Sequence, residues 1–133
     1  MKNKYFIAIV LSTIVGSAMA AETISRINPP THVLQRITVP NTPYEVGMGI
    51  GEMAPDTMKS RRIQSGPEMV YVLEGELIFR VEGQPAKTIK AGESFQIQAG
   101  VPHETKAGSK GAKFLATWVV EPSKRNRFVV PIK

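Results

Sequence analysis

The sequence predicts an all-β fold, either a sandwich or a closed barrel such as a jelly roll. Short runs in which apolar and polar residues alternate indicate strands, and signals rich in Gly, Pro, Asn and Asp separate them at intervals of about eight to twelve residues. After the first twenty residues no segment has a sustained helical period. The length of 133 residues fits a single domain.

The N-terminus has the features of a secretory signal over residues 1–20. Lys2 and Lys4 precede the mostly apolar run Tyr5–Val15, and Ala18-Met19-Ala20 gives a small-x-small cleavage pattern. The apolar run is too short for a permanent membrane span, although a retained anchor is the alternative. We therefore expect an exported protein, periplasmic or secreted, without a membrane anchor after cleavage.

Composition narrows the chemistry that the chain can perform. There is no cysteine, which excludes disulfides, cysteine nucleophiles, zinc–thiolate sites and Fe–S clusters. The formal charge is +6 at pH 7, and without Lys2 and Lys4 it is about +4. Because the basic residues are scattered and no aromatic residues lie between them, no nucleic-acid partner is expected. A small anionic ligand is a better use of this charge.

The mature chain divides into an N-terminal arm with a first strand, 21–40, and a barrel domain, 41–133. The first strand is predicted over Val33–Val39, before Pro40. A second strand is predicted because the apolar residues Tyr44, Val46, Met48 and Ile50 alternate with a glutamate and glycines, so that the apolar face would be buried. The opposite face carries Gly47, Gly49 and Gly51, which predict a bend or a close approach of other backbone.

The second half contains the other strands and turns. Glu68–Leu73 is predicted as a strand, Glu74-Gly75 as a two-residue hairpin turn, and Leu77–Val81 as the returning strand. Lys106–Gly111 is predicted as a polar loop, and Phe114–Val120 as a long apolar strand.

Two spaced motifs point to a known family. Glu68 is followed after six residues by Gly75, and Gly92, Gly100 and His103 then follow with the spacing G-x7-G-x2-H. These half-motifs resemble the two motifs of the cupins, and the resemblance extends roughly over Tyr44–Glu121. It implies a jelly-roll β-barrel, also called a double-stranded β-helix. Two positions depart from the second motif: Gln98 stands in place of Pro, and Ala107 in place of Asn.

The resemblance also implies where a metal would bind. In metal-binding cupins two His and a Glu of the first motif and the His of the second hold one divalent ion, and these positions are Arg62, Gln64, Glu68 and His103 here. An arginine has no lone pair to donate, and its charge repels a dication. We therefore expect no cofactor; the alternative is one divalent transition metal (Fe, Mn, Ni or Zn) on Glu68 and His103, with Gln64 as a weak ligand.

The same four residues predict a binding pocket. Arg62 and Gln64 are two apart, so on a strand they point to one face. We expect Arg62 to take the place of the metal and to pair with Glu68, with hydrogen bonds from Gln64 and His103. Such a site suits a small polar or anionic molecule, with Arg62 as a bidentate carboxylate clamp. A positive rim is expected from the lysines after His103, which are Lys106, Lys110 and Lys113.

Plainer interpretations stay open for each residue. Arg62 would point to solvent, Glu68 would form a surface ion pair, and His103 would be a pocket residue without chemistry. His32 is expected at the surface, and Trp118 in the core rather than against a ligand.

Three classes of function remain. The first is an exported binding module for a small ligand, and the second is an enzyme of dioxygenase, isomerase or lyase type that uses Glu68 and His103. The third is an interaction protein, because the resemblance to small cupins implies a homodimer.

Overall fold

The computed structural model describes residues 29–124, and the expected signal sequence 1–20 lies outside this range. Seven strands and one short 3-10 helix make up the described chain. The strands are β1 (Thr31–Thr38), β2 (Glu45–Met53), β3 (Met58–Arg62), β4 (Glu68–Val81), β5 (Lys87–Lys90), β6 (Ser94–Ile97) and β7 (His103–Val120), and the 3-10 helix is Pro122–Lys124. The predicted all-β fold is thereby confirmed.

The strands form one antiparallel sheet around two long central strands. The main order is β1-β2-β7-β4-β5, with β3 paired to β7 and β6 paired to β4. Strand β4 pairs along most of β7, whereas β2 pairs with residues 112–120 of β7 and β3 with residues 103–106. A strand that changes partners in this way bends the sheet around an interior, which is how an antiparallel fold buries one face without helices.

The interior of the barrel is filled by apolar side chains from one face of each strand. Phe79 of β4 stacks on Phe95 of β6 with ring centroids 4.6 Å apart, an arrangement that adds to the burial of both rings. Phe95 is partly buried, and besides Phe79 the buried members of the core are Met53, Val70, Val72, Leu77, Ile89, Ile97, Ala107, Ala112, Phe114 and Ala116.

Strand β2 faces the opposite way from the prediction. Its buried residues include Gly47, Gly49 and Gly51, whereas Val46 and Met48 are exposed. The reason is the neighbouring strand β7, which places large aromatic rings on the inner face where the glycines leave room. A Cβ at Gly47 would overlap the indole of Trp118, and one at Gly51 would overlap the ring of Phe114. Other atoms do approach these glycines closely, as predicted, but most of them belong to aromatic side chains and not to backbone.

Two predicted connections are also wrong, because β4 and β7 are longer than the sequence indicated. Glu74-Gly75 is not a hairpin turn but an irregularity inside β4, where the pairing with β7 shifts register. Gly75 has φ of 70° and lies against the carbonyl of Gly111, so it bends the strand as a bulge does. The predicted loop 106–111 lies within β7.

The outer face of the sheet is unusually apolar. Ile37 is 66 % exposed, Met69 62 % and Tyr71 46 %, and smaller exposed fractions are found at Val46, Met48, Leu34 and Leu73. Through strand pairing, Ile37 lies beside Val46, and Met69 and Met48 both lie beside Thr117. We call this apolar surface of β1, β2, β7 and β4 the outer face. Among the helices of the described range, none has the length and apolarity needed to cross a bilayer.

Candidate ligand-binding site

A cavity of about 310 Å³ opens on the inner face of the sheet, a volume at the small end of ligand sites. Strands β1, β3, β4 and β7 and the segments next to them form its wall. The lining residues are Pro29, Thr31, Val33, Arg36, Lys59, Arg62, Gln64, Glu68, Ala116, Trp118 and Val120.

Arg62 and Gln64 both reach this cavity, as their spacing predicts, but not from one strand. Arg62 is the last residue of β3, and Gln64 lies beyond the end of that strand. The carbonyl of Gln64 accepts a hydrogen bond of 2.8 Å from the backbone N–H of Gly100. This bond ties the turn before β4 to the loop that leads to β7, and it fixes the backbone of Gln64.

Glu68 and His103 are the first residues of the two long strands, β4 and β7. Glu68 begins β4, is 7 % exposed and pairs with Trp118. His103 begins β7, is fully buried and lies directly opposite Arg62. The structure therefore brings Arg62, Gln64 and Glu68 to the cavity wall, and it buries His103 beside Arg62 on the neighbouring strand.

These four residues share a property that sets them apart from ordinary core polar groups. Each has one buried side-chain atom without a hydrogen-bond partner among residues 29–124. The atoms are Nη1 of Arg62, Oε1 of Gln64, Oε2 of Glu68 and Nε2 of His103; Oγ1 of Thr105 is a fifth such atom. Because a buried polar atom without a partner costs about 1–3 kcal/mol, such a cluster requires an explanation beyond stability.

The protonation of His103 follows from its surroundings. Burial lowers the pKa of His103, and the nearby charge of Arg62 lowers it further, whereas the hydrogen bond to Val101 and the charge of Glu68 raise it. The net direction is down, so the ring is neutral at pH 7. Nδ1 lies 2.9 Å from the carbonyl oxygen of Val101. A carbonyl can only accept, so Nδ1 carries the proton and Nε2 is left with a free lone pair.

The predicted ion pair between Arg62 and Glu68 is not present. Within the described chain no atoms of these two side chains come within salt-bridge distance, and each keeps an unpaired atom. Their charges still interact: burial lowers the pKa of the Arg62 guanidinium, and Glu68 raises it. Both residues line the same cavity, Arg62 at the end of β3 and Glu68 at the start of β4. The space between them is therefore available to a ligand.

The predicted lysine rim is also wrong. Lys106 lies 3.0 Å from Asp56, and Lys113 lies 3.3 Å from Glu52. Neither of them, nor the exposed Lys110, lines the cavity. The reason is that residues 106–111 belong to β7 and follow the sheet away from the cavity. His32 lies on the outer side of β1, opposite Ile50, as a surface residue.

The cavity has instead two cations that the sequence did not single out, Arg36 and Lys59. Arg36 on β1 pairs with Glu45 at 2.5 Å. Lys59 on β3 donates a hydrogen bond of 2.6 Å to Oγ1 of Thr31, and its Nζ lies 5.3 Å from the centroid of the Phe114 ring. The only signal in the sequence was the cluster of basic residues 59–62, which does not tell which of them point inward.

A bulge in β3 explains why both Lys59 and Arg62 enter the cavity. Residues three apart on a regular strand point to opposite faces. Here Lys59 pairs with Thr105 and Arg62 with His103, so three steps along β3 correspond to two along β7. The extra residue in β3 turns both side chains inward, which is a common use of bulges next to binding sites.

Trp118 has two roles. It packs against the hydrophobic core over Gly47, as the core interpretation predicts, and one side of it lines the cavity beside Glu68. An apolar wall beside a carboxylate and two cations strengthens electrostatic interactions, because it keeps water away from them.

The donor set does not fit a tightly held transition metal. Of the four positions in question, only Glu68 and His103 offer good ligand atoms, and the Arg62 cation lies opposite one of them. No group of three or more His, Cys, Asp or Glu side chains within residues 29–124 is arranged to hold an ion.

The comparison with protein families agrees with the geometry. The Cupin domain family matches residues 49–120, more than half of the chain, and the chain belongs to this family. Its fold is the jelly-roll β-barrel that the resemblance implied. No curated protein sequence matches this chain.

Solved structures with the same fold include enzymes and a protein of unknown function. A conserved protein of unknown function from Streptococcus pyogenes is 19 % identical, with a TM-score of 0.57 over 68 % of this chain and 73 % of that one. The DMSP lyase DddQ from Ruegeria pomeroyi is 19 % identical, with a TM-score of 0.59 over 66 % of this chain and 45 % of the lyase.

The oxalate decarboxylase of Bacillus subtilis is 17 % identical, with a TM-score of 0.60 over 74 % of this chain and 30 % of the decarboxylase. This chain thus spans less than half of either enzyme. At these identities the likeness shows the fold and does not assign an activity.

Proposed function

We propose that this protein is an exported cupin-domain protein that binds a small hydroxycarboxylate in its barrel cavity, with weak metal binding or none. The observation that supports this most is the set of four buried polar atoms without partners at Arg62, Gln64, Glu68 and His103. A ligand that completed these hydrogen bonds would offset the cost of burying the four atoms.

The functional groups of the ligand can be inferred from the kind of hydrogen-bond partner that each of these atoms lacks. Nη1 of Arg62 is a charged donor, which prefers a carboxylate. Oε1 of Gln64, Oε2 of Glu68 and Nε2 of His103 are acceptors, which need O–H or N–H donors. A molecule with a carboxylate at one end and a hydroxyl at the other supplies both kinds of partner. The small cavity restricts the ligand to a few heavy atoms beyond these groups.

The net charge of the wall favours an anion. Arg36, Lys59 and Arg62 are cations that line the cavity, and Glu68 is the acidic residue among its lining side chains. Because these charges lie beside apolar groups of Trp118, they act on a ligand more strongly than surface charges do.

A metal-dependent enzyme is the alternative function. Its support is that Glu68 and His103 each keep a free acceptor atom, the two atoms that would be ligands. Metal analysis of protein purified without chelator distinguishes the two proposals. Stoichiometric iron, manganese, nickel or zinc would favour the enzyme and contradict the proposed binding module.

Export is part of the proposal, since it rests on the signal features of residues 1–20. Mass spectrometry of protein expressed from the full sequence tests it, with cleavage after Ala20 as the expected result. An uncleaved, membrane-retained chain would contradict it.

The ligand proposal is tested by calorimetry with glycolate in the presence of EDTA. We expect saturable binding of glycolate, weaker binding of acetate, which lacks the hydroxyl, and no binding of ethylene glycol, which lacks the carboxylate. Equal binding of acetate and glycolate would remove the role of the acceptor atoms, and no binding of either would contradict the proposal.

We also infer that a second copy of this chain covers the outer face. At about 4.8 Å between strands and 3.3 Å per residue, four strands of some eight residues present on the order of 500 Å². A symmetric pair would bury about 1,000 Å² in total, which reaches the size of a specific interface. The strand pairs at its centre, Met48 with Thr117 and Tyr71 with Leu115, carry no charge, so two copies can face each other without burying ions.

A further inference from the structure

Lys59 lines the cavity, and the proposed binding mode gives its amine no direct contact with the ligand. Its Nζ contacts an uncharged hydroxyl, Oγ1 of Thr31, and the face of the Phe114 ring. No carboxylate forms an ion pair with it in the described part of the chain, unlike Lys106 and Lys113. The β3 bulge places this amine in the same cavity as the Arg62 guanidinium and the Glu68 carboxylate.

We propose that Lys59 forms a Schiff base with a small 2-oxo acid or aldehyde acid whose carboxylate is held by Arg62. This proposal rests on the proposed function, because it uses the same anion-binding cavity, and it adds the carbonyl class to the ligands. Three features support it together: an amine on the cavity wall, a carboxylate clamp three residues further along the strand, and Glu68 on the same cavity wall to exchange protons.

The amine is also prepared for nucleophilic attack. Burial lowers the pKa of Lys59 to about 8, with a further lowering by Arg62 and a smaller raising by Glu68. Arg36, the remaining charged group of the wall, is paired with Glu45. At pH 7.5 the neutral fraction of such an amine is on the order of 100-fold larger than that of an ordinary lysine.

The reaction needs no oxidant or reductant. The lone pair of Nζ attacks the carbonyl carbon, the C–N bond forms, and the carbonyl oxygen takes up a proton to give a carbinolamine. The nitrogen returns one proton to the Glu68 carboxylate, which passes it to the hydroxyl; the C–O bond breaks, water leaves and the C=N bond forms, and the last N–H proton returns to the carboxylate. Glu68 is the carboxylate in the cavity that can accept and return these protons.

Reductive trapping tests the proposal directly. The purified protein is treated with glyoxylate and cyanoborohydride at pH 7.5, and modified lysines are located by peptide mass spectrometry. We expect a carboxymethyl group on Lys59 at least ten-fold faster than on the exposed Lys110, and glycolate should slow this modification. The α-amino group, which also titrates near this pH, is counted separately by its own peptide.

Two variants make the result specific. Lys59→Arg should lose the fast modification, whereas Lys110→Arg should react like wild type. Modification of Lys59 no faster than that of Lys110 would overturn the Schiff-base proposal. If glycolate binds by calorimetry in that case, the binding function stands alone; if glycolate fails to bind while Lys59 is selectively trapped, the hydroxycarboxylate function is the part that fails.

Discussion

Arg62 at the end of β3 lies directly opposite His103 at the start of β7, and both carry a buried nitrogen without a hydrogen-bond partner. The Arg62 nitrogen is a donor and Nε2 of His103 is an acceptor, because His103 is neutral and its Nδ1–H donates a hydrogen bond to the carbonyl oxygen of Val101. A cation beside a neutral imidazole is a poor arrangement for a metal and a good one for a carboxylate that also carries a hydroxyl.

Replacing Arg62 separates binding from stability. Arg62→Met should weaken glycolate binding at least ten-fold, because the carboxylate clamp is lost. It should also leave the free energy of unfolding equal or raise it by about 1 kcal/mol, because a buried unpaired charge is removed. Calorimetry and urea unfolding measure the two effects. Arg80→Met is the control, since Arg80 is exposed and pairs with Glu104. Unchanged glycolate affinity in Arg62→Met would contradict the proposed site.

The lowered pKa of His103 predicts a loss of stability in mild acid. In the unfolded chain this histidine takes up a proton near pH 6.5, whereas in the folded state it does so only at lower pH. Between those two values the unfolded state binds more protons, so the free energy of unfolding falls as pH falls, by up to about 1.4 kcal/mol per pH unit. Urea unfolding between pH 7.5 and 5 should show this slope, and His103→Gln should reduce it. A slope identical in the variant would assign it to other groups.

Lys59 should reduce stability at neutral pH. Its pKa falls from an ordinary 10.5 to about 8 in the folded state, so between those values the unfolded state holds more protons and stability rises with pH. Below pH 8 the full cost of the buried charge remains. Lys59→Met should therefore raise the free energy of unfolding at pH 7 by on the order of 1 kcal/mol, after allowance for its partial exposure, and more than Lys110→Met does. A destabilised Lys59→Met would mean that the contacts with Thr31 and Phe114 outweigh the burial cost.

The glycines of β2 should not tolerate even a methyl group. Gly47→Ala would overlap the Trp118 ring, and we expect a loss of about 1–3 kcal/mol by denaturant unfolding. Gly83→Ala is the comparison, because it meets no atom within 4 Å and costs only the strain of its positive φ. In a double-mutant cycle the cost of Gly47→Ala should shrink when Trp118→Leu is present. Equal costs in both backgrounds would show that the indole does not set the constraint.

The outer face should carry the dimer. The protein is expected to elute as a dimer in light-scattering chromatography, and Met69→Glu together with Ile37→Glu should yield a folded monomer, because both side chains lie on that face. Thr88→Glu on β5, which is exposed elsewhere, should leave the dimer intact. A wild-type monomer at micromolar concentration would contradict the inference.

The sequence by itself determined the class of fold. Alternation and turn spacing are local properties, so they were sufficient for the all-β prediction. The spacing of Glu68 from Gly75 and of His103 from Gly92 and Gly100 was sufficient for the family. An arginine side chain has no lone pair to donate wherever it lies in a fold, so the expectation of weak metal binding or none follows from the residue type alone.

Only the tertiary structure decided which face of each strand is inside and which cations reach the cavity. The alternating pattern of β2 does not by itself fix which of its two faces is buried. The glycine face is buried because only that face has room for the rings of Phe114 and Trp118. Lys59 enters the cavity because β3 has one residue more than β7 between paired positions. Both outcomes depend on hydrogen-bond register between strands that are distant in sequence, and register is settled by packing across the sheet rather than by any local pattern.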